Sequence, residues 1–333
     1  MAVITYAQAA LLALEQEMTR DPTVWALGED LGPEGGTAGQ YFGLQQKFGK
    51  HRIVDTPISE SMIMGGAIGA AMCGTRPVVE LRYADFAICA ADEIVNQAAK
   101  VRYMLGGQVR VPVVIRQPIG MRDGMAAQHS QSTEAWWIHI PGLVVVAPAT
   151  PADNHALLKS AIRCDDPVIY LEHKELWTVT GEVDAAAVPM PFGKAGVLHE
   201  GRDITIVTWS SMVPVSLAAA GKLAAHGCSA EVIDLRTLWP WDHETVFKSV
   251  AKTGRLLVVH EAVRVGGFGG EIVAEVVERM YGSLKAAPRR LAAPRTPIPF
   301  SEPLESQCRI AADRIAATAL EMTECFSAAQ AMK

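Results

Sequence analysis

The chain has 333 residues and a mass of 35.7 kDa, half of it hydrophobic, with 20% charged residues and a net charge of −6. That length suits two domains of ordinary size, each with its own core. The mild acidity supplies no basic field to gather a nucleic acid or an anionic membrane, and both are excluded as partners.

The opening Met1-Ala-Val-Ile-Thr-Tyr has no basic block ahead of an apolar one, so it does not read as a secretory signal. Thr5, with Gln8 three residues on, makes a capping box that opens a helix through about Met18, and Asp21-Pro22 ends it. Apolar runs at Val24 to Leu27, Val78 to Leu81, Val111 to Ile115, Leu143 to Val146 and Val168 to Leu171 then alternate with helical patterns at Asp92 to Met104 and Asp153 to Arg163. Continuous apolar strands between helices predict a parallel sheet covered on both faces. The Pro- and Gly-rich stretch Thr178 to Lys194 reads as an interdomain linker.

After it the alternation resumes: strands at Ile204 to Trp209, Ala230 to Leu235 and Arg255 to His260, and helices at Val215 to His226, Glu244 to Thr253 and Gly270 to Met280. A last helix is expected from about Glu305 to Cys325. The expected class is α/β with two doubly wound domains, residues 1–180 and 197–333, joined by a linker at 181–196. The uncharged stretches Ala135 to Ala152 and Ile204 to Gly221 approach membrane-spanning length, but their prolines mark them as buried strand plus connection.

Six cysteines, with no Cys-x-x-Cys pair, read as reduced core thiols of a cytoplasmic protein, not as a disulfide framework or zinc site. Gly266-Gly-Phe-Gly-Gly270 follows a strand and precedes a helix, yet Ile272 stands where a dinucleotide fingerprint needs glycine. The turn therefore reads as tight strand-to-helix packing.

Two places concentrate chemistry. Asp55-Thr-Pro-Ile-Ser-Glu60 leads from a strand into a helix, and from Ser61 to Thr75 there is no charged residue. Glu60 is thus a solitary carboxyl heading a small-residue helix, where desolvation favours a poised, protonatable acid. The second place is Ala126-Ala-Gln-His129-Ser-Gln-Ser-Thr-Glu134, in a long polar connection of the kind that carries function. His129 has hydrogen-bonding neighbours to fix its tautomer for proton transfer. Beside it, Met121-Arg-Asp-Gly-Met125 offers Arg122 to a substrate carboxylate.

Asp55-Thr-Pro-Ile-Ser-Glu60, Asp92-Glu-Ile-Val-Asn-Gln-Ala-Ala-Lys100, Ala127-Gln-His129-Ser-Gln131, His139-Ile-Pro-Gly-Leu143, Asp166-Pro-Val-Ile-Tyr-Leu-Glu172 and Val232-Ile-Asp-Leu-Arg-Thr-Leu238 occur in this order. Together they resemble the β subunit of the thiamine-diphosphate-dependent, decarboxylating dehydrogenase component of 2-oxo-acid dehydrogenase complexes. The resemblance spans nearly the whole chain and implies a pyrimidine-binding domain followed by a transketolase-type C-terminal domain. It implies that Glu60 contacts the aminopyrimidine and activates the cofactor, with Phe86 and Ile58 beside the ring and Glu29 in an acidic link between distant cofactors. His129 would assist proton transfer and passage of the acyl group to a lipoyl acyltransferase core. A potassium site would use the main-chain carbonyls of Val113, Ala161, Ile162, Cys164 and Asp166, hard donors for a hard cation. Cys164 stands there in place of an expected acid.

The Gly-Asp-Gly sequence that signs the diphosphate and Mg2+ site of thiamine enzymes is absent. The resemblance therefore implies an α subunit supplying that half, in a heterotetramer of two α and two β chains. Gln128-His129-Ser-Gln131 and His139-Ile-Pro-Gly142 look closer to pyruvate and acetoin dehydrogenase β chains than to branched-chain ones. The alternatives are a branched-chain β subunit, the C-terminal half of a split transketolase acting on sugar phosphates, and a non-enzymatic docking subunit.

Overall fold

The structure, a computed structural model, describes residues 1–323. Those residues fall into two compact units. The first comprises residues 1–122, 128–192 and 238–240, and the second residues 123–127, 193–237 and 241 onward.

In chain order the first unit contains β1 (Ala2–Thr5), α1 (Tyr6–Arg20), β2 (Val24–Gly28), α2 (Leu44–Phe48), β3 (Ile53–Asp55), α3 (Glu60–Met72), β4 (Arg76–Glu80), α4 (Val101–Met104), β5 (Val114–Ile119), α5 (Glu134–Ile138), β6 (Val144–Val146), α6 (Pro151–Arg163), β7 (Val168–His173) and β8 (Thr180–Val183). The capping box at α1 is formed in full: Gln8 N–H donates to Thr5 Oγ1 at 3.1 Å, and Thr5 N–H donates to Gln8 Oε1 at 2.9 Å. Ala10, Ala13, Leu14 and Met18 recur at helical spacing and bury one face of α1 against α6 and the sheet. The expected helix from Asp92 to Met104 is instead a π-helical turn at Glu93–Ala98 followed by α4.

The second unit contains β9 (Gly196–His199), β10 (Ile204–Thr208), α7 (Met212–Ala224), β11 (Ala230–Asp234), α8 (His243–Thr253), β13 (Leu256–Val263), α9 (Gly269–Met280), β14 (Arg289–Ala293), α10 (Glu302–Cys308) and α11 (Ala312–Met322), and between β11 and α8 the chain forms β12 (Thr237–Trp239). Within β12, Leu238 and Trp239 belong to the first unit.

The first unit's sheet runs β12-β6-β7-β5-β4-β2-β3, parallel at each of its β2–β3, β2–β4, β4–β5, β5–β7 and β6–β7 pairings. A separate antiparallel ribbon pairs β1 with β8, Ala2 opposite Val183 and Thr5 opposite Thr180. The start of the expected linker is thus a strand. The second unit's sheet runs β14-β13-β10-β11-β9, parallel except for the edge strand β9. Its core gathers Ile206, Val232 and Val259 with Leu223 of α7 and Ile315 of α11.

The single terminal helix expected from Glu305 is two helices, with extended backbone at Arg309 and Ala311, and Cys325 lies outside the described residues. The turn at Gly266 to Gly270 packs tightly, as its sequence suggests. A Cβ on Gly267 or Gly269 would come within 2.6 and 2.8 Å of the His260 ring, which stacks on Trp209 at a centroid distance of 5.2 Å. Cys73, Cys89, Cys164, Cys228 and Cys308 are free, and among the described residues no helix is long and apolar enough to cross a membrane.

Candidate active site

The C-terminal ends of β2, β3, β4 and β5 assemble the candidate site, at the edge where open parallel sheets bind ligands. Register sets Gly28 beside both Asp55 and Glu80, and Glu80 beside Arg116. Asp55 Oδ1 accepts from Gly32 N–H at 2.7 Å and its Oδ2 from Gln45 Nε2 at 3.1 Å, fixing the strand end from which residues 56–59 lead to Glu60.

Glu60 is the first residue of α3, after Ser59, whose side chain makes no cap. An acid at this end complements the helix dipole. Its setting is wetter than the sequence suggests. Glu60 is half-buried because α3 buries only Ile63, Met64, Ala67, Ile68 and Ala71 and leaves Met62, Gly65, Gly66, Gly69 and Met72 exposed. Ser61 Oγ donates to the carbonyl of Cys89 at 2.5 Å, tying the head of α3 to the 3₁₀ turn Phe86–Ala90.

That turn presents Phe86 to His129. The two rings meet edge-to-face at 5.2 Å, and Tyr83 closes the cluster at 4.7 Å from His129 and 5.7 Å from Phe86. The backbone from the His129 carbonyl to Gln131 is anchored. Lys174 Nζ donates to the His129 carbonyl, and Gln131 donates through its backbone N–H and Nε2 to Asp85 Oδ1 at 3.3 and 2.9 Å. Gly120 N–H donates to the Gln131 carbonyl at 3.0 Å, closing the connection back on β5.

Glu29 follows β2. Burial, the charge of Glu60 nearby and other carboxylates raise its pKa above the ordinary carboxylate range, with Arg82 acting in opposition. Ile58, in the turn before α3, is 79% exposed, an unusual position for a large apolar side chain. Glu60, Phe86 and His129 therefore gather on elements that touch one another, with Glu29 electrostatically coupled to Glu60 and Ile58 two residues from it. An exposed isoleucine, a half-buried phenylalanine and a solvent-reachable carboxyl make a fitting wall for an aromatic cofactor ring.

Val113 immediately precedes β5, Ala161 and Ile162 lie in the last turn of α6, and Cys164 and Asp166 follow that helix. Arg76 Nη1 donates to the carbonyls of Ile162 at 3.2 Å and Cys164 at 2.9 Å, while Val113 accepts from Val168 N–H at 2.9 Å. These oxygens are hard donors with a second lone pair each, a composition that suits potassium. Among the described residues no group of His, Cys, Asp and Glu is arranged to hold a metal ion.

Sequence reading missed two supporting features. Lys174 is 1% exposed, with its ammonium 5.5 Å from the Tyr83 ring centroid. Arg116, fully buried, donates from Nε to Glu172 Oε2 at 2.8 Å, has Nη2 in ion-pair contact with the same oxygen at 2.6 Å, lies 3.7 Å from Glu80 Oε2, and covers the Tyr41 ring. Burial alone would lower the Arg116 pKa, but Glu172, Tyr41 and Glu80 outweigh it and keep the guanidinium charged. Glu172 Oε1 also accepts from Gln40 Nε2 at 2.9 Å and Asn154 Nδ2 at 3.2 Å. The available signal was an Arg and a Glu embedded in otherwise apolar strands, where each charge needs a partner.

The sequence matches the transketolase pyrimidine binding domain over residues 2–179 and the transketolase C-terminal domain over residues 193–315. It is 48% identical to the acetoin:2,6-dichlorophenolindophenol oxidoreductase subunit beta of Cupriavidus necator, across 92% of this chain and 94% of that protein. It is 41% identical to the 2-oxoisovalerate dehydrogenase subunit beta of Bacillus subtilis, across 97% of this chain and 100% of that one. A solved structure described as a split gene transketolase, inactive beta4 tetramer, superposes with a TM-score of 0.79 at 25% identity, covering 96% of this chain and 98% of its own. With both domains matched and such identity across nearly its whole length, the chain belongs to the β-subunit family of the thiamine-diphosphate-dependent acetoin and 2-oxo-acid dehydrogenases.

Proposed function

We propose that the chain is the β subunit of a dehydrogenase acting on acetoin or pyruvate, working with an α subunit in a heterotetramer of two α and two β chains. The observation that carries this reading is the conjunction of Glu60 at the head of α3 with Phe86 and His129 in ring contact. Thiamine diphosphate, when bound, supplies a nucleophilic carbon and an electron sink. Glu60 would hold a proton for the aminopyrimidine ring, and Phe86 and Ile58 would offer it apolar surface. Glu29, whose own pKa is raised by burial and by Glu60, would hold a proton beside it. His129, its backbone pinned by Lys174, moves a proton at the substrate oxygen and attends the passage of the acyl group to a lipoyl acyltransferase.

Mg2+ and the diphosphate fall to the α subunit, since this chain has no Gly-Asp-Gly. The exposed uncharged face of α3, with Gly65, Gly66 and Gly69 in one stripe, is the surface we assign to that partner. Small residues there let another helix approach closely beside Glu60. Potassium at the carbonyls of Val113, Ala161, Ile162, Cys164 and Asp166 would brace the segment between α6 and β7. The free cysteines among the described residues support a cytoplasmic setting.

The test is gentle isolation of the tagged chain from its native cell, mass spectrometry of what accompanies it, and a thiamine-diphosphate-dependent dye-reduction assay on acetoin, pyruvate and 3-methyl-2-oxobutanoate. The expected result is a stoichiometric chain carrying Gly-Asp-Gly, a lipoyl protein in smaller amount, and turnover of acetoin or pyruvate. Ketol transfer between sugar phosphates with no lipoyl protein would overturn the reading in favour of a split transketolase. Preference for the branched substrate would overturn the substrate assignment alone.

A further inference from the structure

A cavity of about 400 Å³ opens in the first unit among Thr5, Gln8, Thr37, Gly39, Arg122 and Trp177, with Ala7 and Ala38 as its apolar wall. None of these residues belongs to the group formed by Glu60, Phe86 and His129. Arg122 lies with its guanidinium 5.3 Å from the centroid of the Trp177 ring, and no described carboxylate pairs with it. Stacking covers one face of the fork and leaves its in-plane N–H donors free. Trp177 is only 5% exposed, yet its Nε1–H is buried without an acceptor. A buried indole N–H without an acceptor forfeits a hydrogen bond, so the cavity has a donor awaiting a partner.

The start of α1 does not compete for that partner. Tyr6 N–H donates to Val179 O at 2.8 Å, Ala7 N–H to Trp177 O at 3.2 Å, and Gln8 N–H to Thr5 Oγ1, so recognition falls to the two side chains. Charge narrows the ligand. Thr37 donates through its backbone N–H and Oγ1 to Glu80 Oε1, at 3.0 and 2.9 Å, which sets a carboxylate directly behind the wall. Arg122 is the single charge lining the cavity and balances a monoanion, while Glu80, itself facing Arg116 at 3.7 Å, disfavours a second negative charge. Planar donors from a guanidinium and an indole match a planar carboxylate.

We propose that this cavity binds a small monocarboxylate, its oxygens held by Arg122 and Trp177 Nε1 and its short carbon body lying on Ala7 and Ala38. The proposal stands apart from the function proposed above, because it assigns no step of that reaction to the cavity.

The experiment labels the full chain, with any subunit that copurifies, with 5-fluorotryptophan, giving at most seven fluorine signals for the seven tryptophans. Trp177→Phe identifies the relevant one. At fixed ionic strength, acetate and isobutyrate are expected to shift that signal saturably, and Arg122→Gln should weaken binding about tenfold or more, with Arg122→Lys between the two. The other signals, unmoved in Arg122→Gln, report that the variant is folded. A Trp177 signal indifferent to both acids, or Arg122→Gln binding as tightly as the parent, would overturn the proposal. Equal shifts from chloride or phosphate would mean an adventitious ion only and would overturn it too.

Discussion

Phe86 and His129 meet edge-to-face with their ring centroids 5.2 Å apart, although 43 positions separate them in sequence and neither lies in a regular strand. Held by Lys174 at the His129 carbonyl and by Gln131 on Asp85, the loop carrying His129 has little freedom to withdraw. Replacing His129 by Gln should lower dye-reduction turnover about a hundredfold, the usual size of a lost general acid or base, while thiamine diphosphate affinity changes little. Glu60→Gln should cost as much or more in turnover under the same assay. Wild-type turnover in His129→Gln at saturating cofactor would remove that residue from the mechanism.

Gly66 sits in mid-helix with open space where a Cβ would go. In the isolated chain, Gly66→Ala should therefore raise stability by up to about 1 kcal/mol through helix propensity alone. Gly66→Leu should fold equally well but fail to copurify with an α subunit. Denaturant titration and pull-down read the two effects separately, and undiminished capture by Gly66→Leu would release α3 from the assigned interface.

Glu172→Gln would leave Arg116 fully buried with Glu80, 3.7 Å away, as its nearest carboxylate. Removing one partner of a buried ion pair typically costs about 3 to 5 kcal/mol. Urea unfolding should show a loss of that order. Glu172→Gln combined with Arg116→Met should recover part of it, because the uncompensated charge is then gone.

Two buried imidazoles make stability depend on pH. Burial, aided by the charge of Lys159, pushes His155 down to about 4, and burial with Arg290 does the same to His260. An unfolded histidine titrates near about 6.5, so between those values the unfolded chain binds more protons than the folded one. Stability is accordingly full above about pH 6.5, falls as pH drops toward about 4, and loses on the order of 3 kcal/mol per histidine across that window. Urea midpoints measured from pH 7.5 to 4 check this, and His260→Phe should flatten the slope.

Much of the α/β alternation was legible because apolar strands and capped helices advertise themselves locally: Thr5 and Gln8 announce α1, and Val168 to Leu171 announce β7. What escaped depends on distant partners. β1 and β8 are four-residue strands whose pairing joins positions nearly 180 residues apart. The break between α10 and α11 carries neither Pro nor Gly, so helical periodicity runs straight through Arg309 to Ala311. At the site, Glu60 and His129 stood out by their isolation in sequence. Lys174 did not, since a lysine after a strand looks solvated until the fold closes over it.

The ribbon of β1 and β8 has a mechanical consequence. Ala2 faces Val183, so the residue at the start of β1 and the segment that follows β8 emerge at the same end of an antiparallel pair. A load applied between the amino terminus and the residues beyond Val183 peels the hydrogen bonds open one after another instead of shearing them together. Under tension on those two segments, the seam between β1 and β8 opens from the Ala2–Val183 end.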